Sequence, residues 1–507
     1  MSSIVYLKNK SNGKVYAYSN YKTWDSSKGK YVYRRKCIGH LDPETGYIVE
    51  NRERKTRDGS SVRSIGANTV LSRLSEETGL SESLQIVFPD VWKQILSCAF
   101  FLLSERRSLS SITRWKKSHE LPYAGDIDSN ELNFLLNRIS DEDVEAFLRI
   151  WRKKVSDEDV VYATTSSISS YDYLHSYYDP VIASSTVDIG ICAGAGSNLP
   201  ISYEMRMNTV TSESEMDRIR DDHRWLGAKN ILFMLRRGVF ESSNFTDALT
   251  GVHNCTLRLP NDHPLSSGVI RDIQNELLDY HNYDTTHWDP QFSKSVKKLL
   301  NGKRVNIHVF YNADIAEKDT GMLLTFLDKC MNELISGTPV RGHERFYERY
   351  FITKTLDDGS LEVEFNSEAI MDDTNKTGFL ILASNHLSDS GLALSYNTHA
   401  KDAEMFMRNL WNDEDHTGLK LYLQHNMNSM IFIRFVSMIL YFSISRTLKE
   451  YNLTNEYSVE SVMSELNSIM SVETPLRKSP LITDLTTEQK RILTLFGMTN
   501  VFGSDEL

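Results

Sequence analysis

Two stretches decide the fold. One is Asp159-Val160-Val161-Tyr162-Ala163-Thr164, running into the polar Thr165-Ser166-Ser167-Ile168-Ser169-Ser170. The other is Asn230-Ile231-Leu232-Phe233-Met234-Leu235, running into Arg236-Arg237-Gly238-Val239-Phe240-Glu241-Ser242. Each is a short apolar run bounded by polar or turn-forming residues, which predicts a buried strand. The second continues through a turn toward a helix near Ser243-Asn244-Phe245. Between them, Val187-Asp188-Ile189-Gly190-Ile191 and Leu199-Pro200-Ile201-Ser202-Tyr203-Glu204-Met205 read as further strands. Strands followed by a strand–turn–helix unit predict a mixed α/β core.

Toward the amino terminus, Ile4-Val5-Tyr6-Leu7 and Val15-Tyr16-Ala17-Tyr18 flank Ser11-Asn12-Gly13, a strong hairpin signal because Asn and Gly tolerate positive φ. A third run, Tyr31-Val32-Tyr33, leads into Arg34-Arg35-Lys36, so a small three-stranded antiparallel sheet is expected. Residues 1–60 hold thirteen Lys and Arg against six Asp and Glu, a balance of +7. The whole chain carries −11, so the remainder carries −11 − 7 = −18. A basic module on an acidic body suits a phosphate grip, with Lys8, Lys10, Lys14, Lys30, Arg34, Arg35 and Lys36 as candidate DNA contacts. A solvated, lysine-rich sheet face accounts for the charge equally well.

From Asn68 to Trp151 the apolar period becomes helical, and Asp141-Glu142-Asp143 reads as an acid-rich helix start. Farther on, Asn306 to Tyr311 is strand-like, Asp319 to Leu334 an amphipathic helix, and Met427 to Leu448 a buried core helix or a dimer face. Ile482 to Phe496, with Thr486-Thr487-Glu488-Gln489 ahead of apolar Ile492 and Leu493, reads as a short terminal helix. The expected division is a basic β module over 1–60, a helical domain over 61–155, and a core over 156–253 resumed at 376–450. An insertion over 254–375 and a helical tail over 451–507 complete it.

Composition excludes several classes. With 507 residues, 40% hydrophobic and 25% charged, the chain has ordinary globular composition and room for several domains. Its five cysteines (Cys37, Cys98, Cys192, Cys255, Cys330) form no CxxC pair, so neither a ribbon-type zinc site nor a disulfide framework is expected. His253, His263 and His281 are too far apart for metal-ligand spacing. No apolar run reaches the roughly 18 unbroken residues of a spanning helix. The expectation is a cytoplasmic protein without membrane contact, nucleoid-associated if it binds DNA.

The same stretches resemble insertion-sequence transposases of the Asp-Asp-Glu class, in the branch with a β-rich insertion inside a ribonuclease-H-like core. Tyr33-x4-Ile38-Gly39-His40-Leu41 is similar to the start of such proteins. The first family box, Asp-x-Thr-Ser-Ile-Ser-Ser-Tyr, is matched by Thr164 to Tyr171. The second, Asp-Arg-Gly-Phe followed by Ser, is matched by Arg236 to Ser242. The third, a helix of the type Glu-Lys-Met-Phe-Arg-Asn-Leu, is matched by Glu404-Met405-Phe406-Met407-Arg408-Asn409-Leu410. Leu199-Pro200 and Thr377-Gly378-Phe379-Leu380 fall where the family has them. The resemblance implies the fold named above, an insertion that helps clamp DNA, and double-stranded DNA as partner.

The family's reaction is attack on a phosphodiester by water or a 3′ hydroxyl, assisted by two magnesium ions on three carboxylates. Here only Glu404 keeps its acid; the two aspartate positions are Thr164 and Arg236. A guanidinium about 5 Å from a divalent ion costs on the order of 6–7 kcal/mol at an effective dielectric near 20, and arginine does not deprotonate to escape it. Ala400, Trp411 and Tyr396 also depart from the pattern around the glutamate. Asp172, Asp179 and Asp188 stay open as substitutes for the first acid, but Asp221 and Asp222 lie too far upstream to replace the second. Arg236 and Arg237 then read either as phosphate contacts or as a structural pair bridging to an acid such as Glu404.

The expected function is a transposase-derived DNA-binding protein without strand cleavage, metal or cofactor, with a homodimer as one option. Two alternatives remain open at this level: an active magnesium-dependent transposase with misplaced carboxylates, and a protein-interaction scaffold supported by the −18 body.

Overall fold

The computed structural model describes residues 3–8, 14–25, 30–41, 48–50, 61–164, 168–169, 186–206, 213–235, 245–284, 291–355, 361–409, 416–474, 479–499 and 501–502. The chain divides into two compact units, Met1–Val62 with Val472–Leu481, and Arg63–Ser471 with Ile482–Leu507.

In the first unit, β1 (Ser3–Lys8), β2 (Val15–Asp25), β3 (Lys30–Leu41) and β4 (Ile48–Glu50) form an antiparallel sheet in that order. Its fourth strand, three residues long, was not expected from the sequence. A bulge between Ala17 and Tyr18 shifts the β2–β3 register. The Ser11-Asn12-Gly13 turn lies outside the described residues.

The short β5 (Ser61–Ser64) precedes the second unit's helices. These include Gly66–Glu77, Leu80–Val87, Trp92–Glu105, Ser129–Arg138 and Asp141–Val155. Asp141–Val155 shows how local sequence sets an end. Ser140 and Asp143 form a reciprocal capping box, three acids occupy the first turn, and Arg152, Lys153 and Lys154 occupy the last. The long helix His416–Glu450 runs through this layer. Its segment Asn428–Glu450 has the length and mean hydropathy, 1.5, of a membrane span, but 83% of that window is buried within the protein. Phe432 stands at the layer's centre, with its ring 5.3 Å from Phe88 and 5.0 Å from Phe147.

Beyond the helices lies a ten-stranded mixed sheet. Its strands are β6 (Asp159–Thr164), β7 (Ile168–Ser169), β8 (Thr186–Gly194), β9 (Pro200–Arg206), β10 (Asn230–Leu235), β11 (Asn254–Leu259), β12 (Tyr283–Asp284), β13 (Gln291–Leu300) and β14 (Lys303–Tyr311), with β17 below. A separate hairpin pairs β15 (Phe351–Thr355) with β16 (Leu361–Phe365), and β17 (Phe379–Ser384) returns to the large sheet. The order is β12-β13-β14-β17-β11-β10-β6-β8-β7, with β9 paired to β8. Segment 254–375, expected as a β-rich insertion, thus contributes four strands to the sheet that holds β6 and β10. Only β15 and β16 pair apart from it, because the apolar side of β14 (Val305, Ile307, Val309) is buried in the large sheet's core.

Both faces of the sheet are covered around β6 and β10, which is why residues 160–163 and 231–235 are unbroken apolar runs rather than alternating. Val160, Tyr162, Phe233 and Leu235 pack with residues of helices Glu213–Trp225 and Pro264–Leu277. Val161, Ala163, Leu232 and Met234 pack with Ala393, Leu394 and Ala400 of helix Ser390–Asn409.

Candidate functional site

β6 and β10 are parallel neighbours, with Val161 opposite Leu232 and Ala163 opposite Met234. Their carboxyl ends therefore open at one edge of the sheet, the place where α/β sheets hold ligands. Thr164 is the last residue of β6 and pairs with Gly190 of β8. Arg236 follows directly after β10; it and Arg237 lie outside the described residues. Gly190 is required here, since a Cβ on it would lie 2.0 Å from the Tyr162 hydroxyl. That hydroxyl donates to Glu204 of β9.

Glu404 lies on helix Ser390–Asn409 and is 3% exposed. The helix packs on β6 and β10. Near its middle, burial raises the Tyr396 phenol pKa, helped by the charges of Asp159 at the start of β6 and of Asp157 just before it. Beyond Glu404, Phe406 and Met407 join the apolar cluster that holds Ile189 and Ile191 of β8, and Ile191 pairs with Ala163. The helix thus runs in the same sense as β6. Glu404, eight residues past Tyr396, lies about 12 Å farther along it, toward the end of the sheet where Thr164 sits.

Among the described residues, the two strands that end at this edge, β6 and β10, bring no carboxylate to it. The only carboxylate in β6 is Asp159, at the opposite end, where it accepts a 2.7 Å hydrogen bond from Asn230. β10 has none. Asp188 pairs in register with Arg206, while Asp172 and Asp179 lie outside the described residues.

The basic candidates belong to the other unit. Lys8 ends β1 opposite Val15, Lys14 is exposed, and Lys30 starts β3 opposite Asp25. Arg34, Arg35 and Lys36 follow one another in β3, opposite Tyr21, Asn20 and Ser19 of β2. Lys10 lies outside the described residues.

Polar groups elsewhere in the fold have partners or burial of their own. Ser202 Oγ lies 2.9 Å from His223 Nε2, whose Nδ1 is 2.8 Å from the Ile219 carbonyl. With Ser202 and His223 3% and 7% exposed, this pair is a satisfied core contact shut off from substrate. His253 faces Asp217 at 3.2 Å, and His263 caps helix Pro264–Leu277. His399 and Asp402 sit on the Glu404 helix: burial holds the imidazole down to about 3 and lifts the carboxyl to about 6.

Fold and site together define a mixed α/β protein with a large mixed sheet, a helical layer and a separate small β unit. No family model matches the sequence, and no curated protein matches it. Among solved structures it is similar to a piggyBac transposase in a synaptic complex with hairpin DNA. The identity is 8%, the match covers 79% of this chain and 77% of that one, and the TM-score is 0.32. A likeness of that size carries no argument about residues or activity.

Proposed function

We propose that this chain is a transposase-derived, double-stranded-DNA-binding protein that has lost metal-dependent strand cleavage. The observation that carries the reading is the edge where β6 and β10 end side by side with no carboxylate at the end of either strand, beside a helix bearing the buried Glu404. Strands β9-β8-β6-β10-β11 stand in that order, with β6, β8 and β9 antiparallel and β6, β10 and β11 parallel. This arrangement supports a ribonuclease-H-like core. Thr164 and Arg236 then occupy the positions where the resembled transposases carry aspartates, and one remaining acid cannot neutralise two divalent ions.

Phosphate recognition passes to cations instead. The β unit, with Lys8, Lys10, Lys14, Lys30, Arg34, Arg35 and Lys36, supplies the grip, and Arg236 and Arg237 supply further ion pairs. A second copy of the chain is the expected partner on a symmetric DNA end. In a cell the protein is cytoplasmic and associated with the nucleoid. The test is DNA affinity measured across salt: about five phosphate contacts predict a slope of log K against log salt near −4 to −5. Absent or salt-independent binding overturns the reading and favours a protein-interaction scaffold.

A further inference from the structure

We propose that Cys330, Glu333 and His343 bind one divalent transition-metal ion of the zinc class, at a site remote in sequence from Glu404 and independent of the DNA reading. Helix Ala313–Ile335 buries Leu327, Cys330 and Glu333 along one face, with Cys330 and Glu333 three residues apart and therefore adjacent. After the turn at residues 336–342, His343 caps the next helix, Glu344–Tyr350, and returns to the same spot. One ligand atom from each of the three side chains lies within 4.8 Å of the others, the only such group among the described residues.

A second observation points to a ligand. Glu333 is 9% exposed, and its Oε1 is fully enclosed without a hydrogen-bond partner. Its Oε2 is well served, by the Tyr347 hydroxyl at 2.5 Å and His343 Nδ1 at 2.8 Å. Lys329 approaches Oε1 only to 4.0 Å, and its side chain is 67% exposed. A buried carboxylate oxygen left unpaired is costly, and a cation is what would satisfy it.

The surroundings hold the three groups in place. The Tyr347 hydroxyl that donates to Glu333 accepts from the Val340 amide at 3.0 Å, and the His343 ring stands edge-on to Phe326 at 5.0 Å. Thiolate, imidazole and carboxylate together suit zinc over magnesium or calcium. The two anions offset the ion's charge, so the loaded site is neutral where it is buried. Bonds of about 2.0–2.3 Å set ligand atoms roughly 3.3–3.8 Å apart, so the side chains draw in by about 1 Å from their widest spacing. On binding, the Cys330 thiol proton leaves to solvent and His343 binds as the neutral imidazole. The fourth position is open to water. The ion would fasten the turn at 336–342 to the long helix.

The test uses the full chain, stripped with chelator and titrated with Co²⁺ alone. The expected result is one equivalent bound, a thiolate-to-cobalt charge-transfer absorption, and displacement by Zn²⁺. Cys330→Ser should abolish the absorption, and His343→Ala, on a surface turn, should weaken binding at least about tenfold. No charge-transfer absorption in the parent chain, its survival in Cys330→Ser, or unchanged affinity in His343→Ala each overturns the proposal. The parent spectrum and the His343→Ala titration decide the matter even if Cys330→Ser fails to fold.

Discussion

Ala163 of β6 and Met234 of β10 are direct partners in parallel register, so both strands end within a residue of each other on the same edge of the large sheet. Thr164 and Leu235, the last residues of the two strands, are brought to that edge by backbone pairing alone. Glu404 approaches from a helix packed on the same two strands. In the proposed function, this edge and the helix carry the positions of a two-metal site that keeps one acid, Glu404. On this account binding and cleavage come apart, and they are tested separately.

DNA binding should be electrostatic and centred on β3. Replacing Arg34, Arg35 and Lys36 together with Ala should flatten the slope of log K against log salt by about 2–3, at roughly 0.9 per lost phosphate contact. Salt titrations of both proteins on one duplex measure this. An unchanged slope would mean that another surface meets the phosphates.

Phe432 should be among the costliest single truncations. Its ring is fully buried and contacts Phe88, just past helix Leu80–Val87, and Phe147 of helix Asp141–Val155. Phe432→Ala should cost about 3–5 kcal/mol through lost burial and the cavity left behind. Urea unfolding reads the loss; a cost under about 1 kcal/mol would show that the helical layer is not packed as described.

His399 should make stability depend on acid. Burial, reinforced by the charge of Lys449, holds its pKa down to about 3, and neither ring nitrogen has a hydrogen-bond partner among the described residues. The folded imidazole stays neutral while the unfolded one takes up a proton below about 6.5. Its contribution is therefore complete above pH 6.5 and is lost toward pH 3, at about 1.4 kcal/mol per pH unit. Asp402 acts oppositely: burial raises it to about 6, so it adds stability as pH falls from about 6 toward 4. The difference between the parent and His399→Leu isolates the histidine. Urea midpoints of the variant should fall less between pH 6.5 and 4.5, and parallel curves would contradict the assignment.

The strands that decide the fold were legible because burial on both faces leaves unbroken apolar runs, as in Asn230–Leu235. The helix over Met427–Leu448 was legible for the same reason. Gln291–Leu300 was not, because its side chains alternate between half-buried and exposed positions and lysines interrupt the run. Sequence could not say that Asn254–Leu259 pairs in parallel with β10, since register and neighbour are tertiary facts. That β6 and β10 end without acids could be read from residue identities alone, but their side-by-side convergence could not. The cluster of Cys330, Glu333 and His343 was missed because ten residues and a turn separate its last two members, a spacing that matches no familiar metal motif.

The loss of cleavage is tested most directly by incubating the protein with supercoiled plasmid carrying candidate end sequences, in magnesium or manganese, beside Glu404→Ala. The account predicts that both proteins retard the DNA and that neither nicks it above the protein-free background. Metal-dependent nicking by the parent that disappears in Glu404→Ala would contradict it and restore an active catalytic site.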